Sequence, residues 1–263
     1  MNPRLAAVLA FAGKLAALAA LGYLGLCAAL FVFQRSLIYM PPPASPVEGA
    51  DVVALPVDGA ELRVTVRDRQ GARALVYFGG NAEDVNLGLP DLAAAFPERA
   101  IYLMHYRGYG GSTGSPTERA LVADALVLFD KARARHGSVI VMGRSLGSGV
   151  AVQVASRRPV AGLVLVTPYD SVQTLAARLF GYIPVGTLLR DKFESWRYAP
   201  RVAAPTLILA AEHDEVIPRA STESLLASFP SPVATLRIVP GTGHNTISLS
   251  PEYVRLLRDF ANR

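Results

Sequence analysis

The feature that most narrows what this chain can fold into is Val139-Ile140-Val141-Met142 running into Gly143-Arg144-Ser145-Leu146-Gly147, followed by a helix-compatible stretch. A strand that turns at once into a helix, with a serine at the apex, needs a sharp and strained turn. Glycine on either side removes the Cβ atoms that would collide around the exposed hydroxyl. The pattern G-x-S-x-G alone is cheap, arising by chance in roughly one chain in ten at average composition. The strand before it and the helix after it make it informative. A serine at a helix N-terminus also gains from the positive end of the helix dipole. Ser145 is therefore the candidate nucleophile, on an α/β scaffold.

The rest of the chain keeps the same alternation, as expected for a mostly parallel sheet covered by helices on both faces. Val52–Val57 and Glu61–Arg69 read as an opening antiparallel pair around the turn Asp58-Gly59. Central strands are predicted at Ala74–Phe78, Ile101–Tyr106, Ser138–Met142, Gly162–Thr167, Thr206–Ala211 and Thr235–Val239. Several are near-continuous apolar runs, the signature of strands buried on both sides. Helices are predicted near Asp84–Phe96, Thr117–His136, Leu146–Ser156, Arg219–Ser228 and Pro251–Ala261. The alternation lapses between Tyr169 and Pro205, where a small cap near residues 171–200 is expected over the carboxyl end of the sheet. The expected organisation is an N-terminal segment at 1–34, a Pro-rich linker at 35–50 and one eight-stranded domain at 51–263.

A serine hydroxyl is a poor nucleophile until a base takes its proton. Four histidines are available. His105 ends a strand and His136 ends a helix, positions that structure alone accounts for. His213 adjoins an acidic loop. His244, in Gly241-Thr242-Gly243-His244-Asn245 between the last strand and the last helix, has the placement of the base. The orienting acid should fall between nucleophile and base, at the carboxyl end of a strand. Asp214, in Glu212-His213-Asp214-Glu215-Val216-Ile217-Pro218, fits; Asp170, after the strand Gly162–Thr167, competes with it. The adjacent positions Glu212 to Glu215 cannot easily converge on one ion, so no metal site is assigned there. No cofactor is implied. A tetrahedral intermediate needs two backbone N–H donors. Leu146 should supply one, and Asn81 in the loop Phe78-Gly79-Gly80-Asn81-Ala82 the other. The Gly-rich stretch Arg107–Gly114 lacks the Gly-Lys-Ser/Thr ending of a phosphate loop and reads as a rigid turn beside the site.

On these residues the chain resembles the α/β-hydrolase-domain proteins that carry an N-terminal membrane anchor. Their branch is described as serine aminopeptidase-like and is similar to depalmitoylases and lysophospholipases. Arg35-Ser36-Leu37-Ile38-Tyr39-Met40-Pro41 looks like the segment joining anchor to domain. Tyr106-Arg107-Gly108-Tyr109-Gly110-Gly111-Ser112-Thr113-Gly114-Ser115-Pro116-Thr117-Glu118 looks like the loop after the fourth strand. Gly143–Gly147 matches the nucleophile elbow, Asp214–Pro218 the acid loop and Gly243-His244-Asn245 the base loop. One departure stands out: Gly79-Gly80-Asn81 occupies a place where the family usually has His-Gly-Asn. The resemblance implies hydrolysis of an ester, thioester or amide through an acyl-Ser145 intermediate, with small-molecule or acyl substrates. In an aminopeptidase, Asp191 and Glu194 are the candidates for holding the substrate amine. A non-catalytic binding protein on the same fold is the reading outside enzymes.

Leu15–Phe33 holds nineteen residues without a charge. At 1.5 Å per residue it extends about 28 Å, nearly the thickness of a hydrocarbon layer. A cleaved signal peptide usually has an apolar stretch of only about 7–15 residues. The segment is therefore expected to stay as a single-pass anchor in the lipid bilayer through residues 15–33. Arg4, Lys14 and the α-amino group before it, against Arg35 after it, predict a cytoplasmic N-terminus and a periplasmic domain. Pro41-Pro42-Pro43 is expected to act as a stiff spacer lifting the domain off the bilayer. The net charge of +5 comes from scattered Lys and Arg rather than a run interleaved with aromatics, so no nucleic-acid partner is expected. The single cysteine, Cys27, allows no internal disulfide.

Overall fold

The computed structural model of the protein describes residues 2–262. Helix α1 (Pro3–Ile38) leads into strands β1 (Asp51–Val57), β2 (Ala60–Arg67) and β3 (Arg73–Phe78). Helix α2 (Leu89–Ala95), β4 (Ala100–Met104), α3 (Glu118–Arg135), β5 (Ser138–Arg144), α4 (Leu146–Ala155) and β6 (Gly162–Val166) follow. Three short helices, α5 (Val172–Leu179), α6 (Val185–Leu188) and α7 (Ser195–Tyr198), separate β6 from β7 (Thr206–Ala211). The chain closes with α8 (Arg219–Ala227), β8 (Ala234–Val239) and α9 (Pro251–Ala261).

The strands form one eight-stranded sheet in the order β1-β2-β4-β3-β5-β6-β7-β8. β2 runs antiparallel to both β1 and β4, and the remaining pairings are parallel. This is the architecture the alternation predicts. β6 and β7 are buried at every position, as their unbroken apolar runs require. Successive side chains feed opposite layers of core. Val76, Val139 and Val141 pack with Leu121, Phe129 and Val150 of α3 and α4 on one face. Leu75, Tyr77 and Met142 pack with Leu92 of α2 and Tyr253 and Leu257 of α9 on the other. α3 begins where Thr117 accepts the Ala120 N–H at 3.1 Å, and it ends with Arg133 and Arg135 against its negative pole. α4 is buried along its whole length, which its Gly, Ala and Val composition permits.

The Pro-rich stretch is not a free spacer. α1 continues to Ile38, and the chain beyond it lies against the domain. The Met40 N–H donates to Asn81 Oδ1 (2.9 Å) and to the Tyr109 hydroxyl (3.1 Å). Gly110 N–H donates to the Pro42 carbonyl (3.1 Å), and Ser45 N–H donates to Asp84 (2.6 Å). The physical reason is availability: an extended proline run makes no internal hydrogen bonds, so its carbonyls are open to neighbouring loops.

Candidate active site

Ser145 sits between β5 and α4 with φ 47° and ψ −117°, a conformation that L-residues rarely adopt. The glycines that permit this turn have identifiable neighbours. A Cβ on Gly143 would strike the Gly147 carbonyl and come within 2.7 Å of Ala151 Cβ. A Cβ on Gly147 would strike the Phe78 carbonyl and lie 2.6 Å from Gly79 O. The elbow is thus wedged against the carboxyl end of β3.

The loops after β7 and β8 bring Asp214 and His244 to the same edge. His244 Nε2 lies 3.0 Å from Ser145 Oγ, and His244 Nδ1 lies 3.0 Å from both carboxylate oxygens of Asp214. A carboxylate only accepts, so Nδ1 carries the imidazole proton and Nε2 is left to accept from the Ser145 hydroxyl. Asp214 is held in turn by the N–H groups of Val216 (3.0 Å) and Ile217 (2.7 Å). The side chains of His244 and Asp214 are 6% and 9% exposed, so the pair is shielded from water. Asp170, the competing acid, is committed elsewhere: it accepts from Ser221 Oγ at 2.6 Å and from the Ser171 N–H at 2.8 Å.

Gly80 lies against the serine itself, since a Cβ there would be 3.4 Å from Ser145 Cβ. Its N–H is already given to Glu83 Oε2 at 2.6 Å. The N–H groups of Asn81 and of Leu146, the first residue of α4, have no acceptor among the described residues. The other histidines have structural partners. His105 Nε2 lies 3.0 Å from Thr65 Oγ1, whose own proton goes to Asn86 Oδ1 at 2.6 Å. His105 is therefore a neutral ring donating from Nε2, and burial holds its pKa below the ordinary 6.5. Gly110 (φ 55°) packs directly on that ring, where a Cβ would collide. This explains the rigid glycine turn. His136 bonds the Tyr102 hydroxyl (2.9 Å) and the Gly71 carbonyl (2.9 Å). His213 is exposed beside Glu212.

Residues 89–198 match the family model described as serine aminopeptidase, S33. The uncharacterised protein Rv2307c of Mycobacterium tuberculosis is 35% identical over 228 residues, covering 81% of this chain and 80% of that one. The chain belongs to the α/β-hydrolases. Protein bem46 of Schizosaccharomyces pombe is 25% identical over 264 residues, covering 88% of this chain and 86% of that one. Among solved structures, the Pyrococcus furiosus esterase Pf2001 superposes with a TM-score of 0.68 at 14% identity, covering 86% of this chain and 98% of that one. Mouse alpha/beta hydrolase domain-containing protein 10 gives a TM-score of 0.64 at 16% identity, over 81% and 97% of the two chains. These two likenesses describe the fold.

In this α/β-hydrolase, three residues that the motif reading did not single out brace the loops. Glu83 accepts from Gly80 N–H, from the Tyr77 hydroxyl (2.5 Å) and from Arg144 (3.0 Å). Arg144, the variable position beside the serine, reaches on to the His244 carbonyl (3.3 Å) and Asn245 Oδ1 (3.2 Å). Burial works against the Arg144 charge, but Glu83, together with Tyr77 and Tyr253, more than offsets it, so its pKa is raised. Burial, reinforced by Glu83, likewise raises Tyr77. Glu215 receives the His244 N–H at 3.0 Å, and that hydrogen bond holds its carboxyl below the usual range. Arg144 and Glu215 adjoin Ser145 and Asp214 in the chain, so scanning the motif neighbours for charge would have found them. Glu83 offers no such pointer.

Proposed function

We propose that the protein is a membrane-anchored serine hydrolase that cleaves a carboxylic ester or thioester through an acyl-Ser145 intermediate. The observation carrying this reading is the unbroken hydrogen-bond chain from Ser145 through His244 to Asp214. Ser145 Oγ attacks the substrate carbonyl while His244 Nε2 takes its proton, and Asp214 holds the imidazolium that forms. On this reading the developing oxyanion is received by the N–H groups of Leu146 and Asn81, which have no other acceptor among the described residues. His244 then protonates the departing alcohol or thiol, and a water activated by the same ring releases the acid.

The α1 helix acts as an uncleaved anchor, with its N-terminus in the cytoplasm and the domain on the periplasmic side. Support comes from its length and apolarity, with a mean hydropathy of 2.3 over its most apolar stretch. Its C-terminal turns are also tied to the domain, through Arg35 to Asp191 (2.9 Å) and Gln34 to Leu188 O (3.1 Å). A signal peptide destined for removal needs no such contacts. On this reading the domains are an anchor, a docked linker and a hydrolase domain whose cap is α5 to α7.

The matched family description favours a second reading, an aminopeptidase. Its acidic candidates are already engaged: Asp191 by Arg35 and Tyr39, and Glu194 by Arg197 at 3.2 Å. A substrate ammonium would have to displace these cations, so the ester reading stands first. Turnover of p-nitrophenyl esters of graded acyl length, compared with amino-acid p-nitroanilides, separates the two. Esters should be cleaved, and Ser145→Ala should lose activity by at least about a thousandfold. Preferential p-nitroanilide cleavage would reverse the order, and turnover of neither class by folded protein would favour a non-catalytic binding role.

A further inference from the structure

The cap does not stand clear of α1. Arg190 N–H donates to Gln34 Oε1 (2.7 Å), and the Arg190 guanidinium lies 4.0 Å from the Phe31 ring centre. Much nearer the N-terminus, the Tyr23 hydroxyl donates to the Tyr182 carbonyl at 2.8 Å. From Gln34 back to Tyr23 is about 16 Å along a helix axis. The tip of the cap therefore runs beside the C-terminal half of the uncharged stretch Leu15–Phe33. That stretch has no residues to spare for a hydrocarbon core of about 30 Å. If it crosses the membrane, the Tyr182 tip must lie below the headgroups.

The tip has the composition for that position. Leu179, Phe180 and Tyr182 are 80%, 40% and 95% exposed. From Val172 to Arg190 there is no acidic residue, while Arg178 and Arg190 supply positive charge. The exposed apolar groups suit acyl chains, and the arginines suit anionic headgroups reached by snorkelling. The Tyr23–Tyr182 bond satisfies two polar groups that hydrocarbon would otherwise leave unpaired. A cleft between cap and helix, lined by Leu30, Leu37 and Ile38 of α1 and by Ala176, Phe180 and Ile183, continues the apolar surface upward.

We infer that the cap is a second membrane element, inserting Leu179, Phe180 and Tyr182 into a bilayer containing anionic lipid beside α1. This rests on the reading that α1 spans the membrane. The test uses the full chain in a Cys27→Ser background, with an NBD label on Tyr182→Cys. Leu24→Cys in α1 and Gln70→Cys at the opposite, amino edge of the sheet serve as references. Each is reconstituted into phosphatidylcholine–phosphatidylglycerol vesicles carrying acyl-chain spin labels, and circular dichroism verifies folding. Labels at 24 and 182 should lose emission about twofold or more, while a label at 70 keeps it. Quenching at 24 with none at 182 would overturn cap insertion and leave the spanning helix intact. No quenching at 24 would overturn both. Loss at 182 that follows protein density rather than spin-label content would put a second copy of the chain there, and would also overturn the inference.

Discussion

At the residue scale, Ser145 holds strain as well as a hydroxyl. A non-glycine residue kept at φ 47° and ψ −117° costs on the order of 1–3 kcal/mol, which the surrounding packing must maintain. Both Ser145→Gly and Ser145→Ala should abolish turnover, but only Ser145→Gly should raise stability, by about 1 kcal/mol in chemical denaturation. Equal stability of the two variants would show that the elbow is unstrained. His105 makes a different prediction, because burial lowers its pKa from 6.5. Between the folded and unfolded values the unfolded chain binds more protons, so stability rises with pH through that window. The His105 contribution is complete above about pH 6.5 and is lost as the pH falls below it. His105→Gln should be less stable at neutral pH but should lose that part of the acid slope, as seen in denaturation midpoints across a pH series. An unchanged slope would contradict the neutral-ring assignment. Ser145, Asp214 and His244 were readable because each occupies a fixed place relative to a strand end. Glu83 was not, because its partners on β3, the Gly80 loop and the elbow meet only in three dimensions.

At the element scale, the linker after α1 is part of the structure around the candidate oxyanion loop. Asn81 Oδ1 accepts from the Met40 N–H (2.9 Å) and the Tyr109 hydroxyl (2.9 Å), so the linker and the glycine turn together fix the orientation of Asn81. Met40→Pro removes the first donor without shortening the chain, and Tyr39 is already extended (φ −111°, ψ 117°), as a following proline requires. It should lower kcat by about tenfold with KM for a short ester nearly unchanged, the pattern of a loosened transition-state donor. An unaltered kcat would separate the linker from catalysis. The central strands and the longer helices of the domain were legible from their apolar patterns, whereas the largely exposed β1 was legible with β2 from the Asp58-Gly59 turn between them. The docking of Pro41–Pro43 was not, because polyproline composition describes stiffness and carries no information about what lies alongside. The cap fell between: its lapse in alternation was visible, but its contact with Tyr23 joins residues far apart in sequence.

At the scale of the whole molecule, α1, linker, cap and sheet form one connected path. α1 meets the cap through Tyr23, Gln34 and Arg35, the linker meets the glycine turn and Asn81, and Arg144 joins the elbow to the His244 loop. All three loops that carry Ser145, Asp214 and His244 end at the carboxyl edge of the sheet, the side from which the cap also extends. On the proposed reading, in which α1 spans the membrane, the apolar cleft between α1 and the cap accounts for a preference for substrates with acyl chains. The central claim is that Ser145 is an activated nucleophile, and a fluorophosphonate probe tests it most directly. Treating the folded full-length chain and mapping the adduct by peptide mass spectrometry should find label on Ser145 alone, with labelling lost in Ser145→Ala and strongly slowed in His244→Ala. Folded protein that takes no label, or takes it at another residue, would contradict the account.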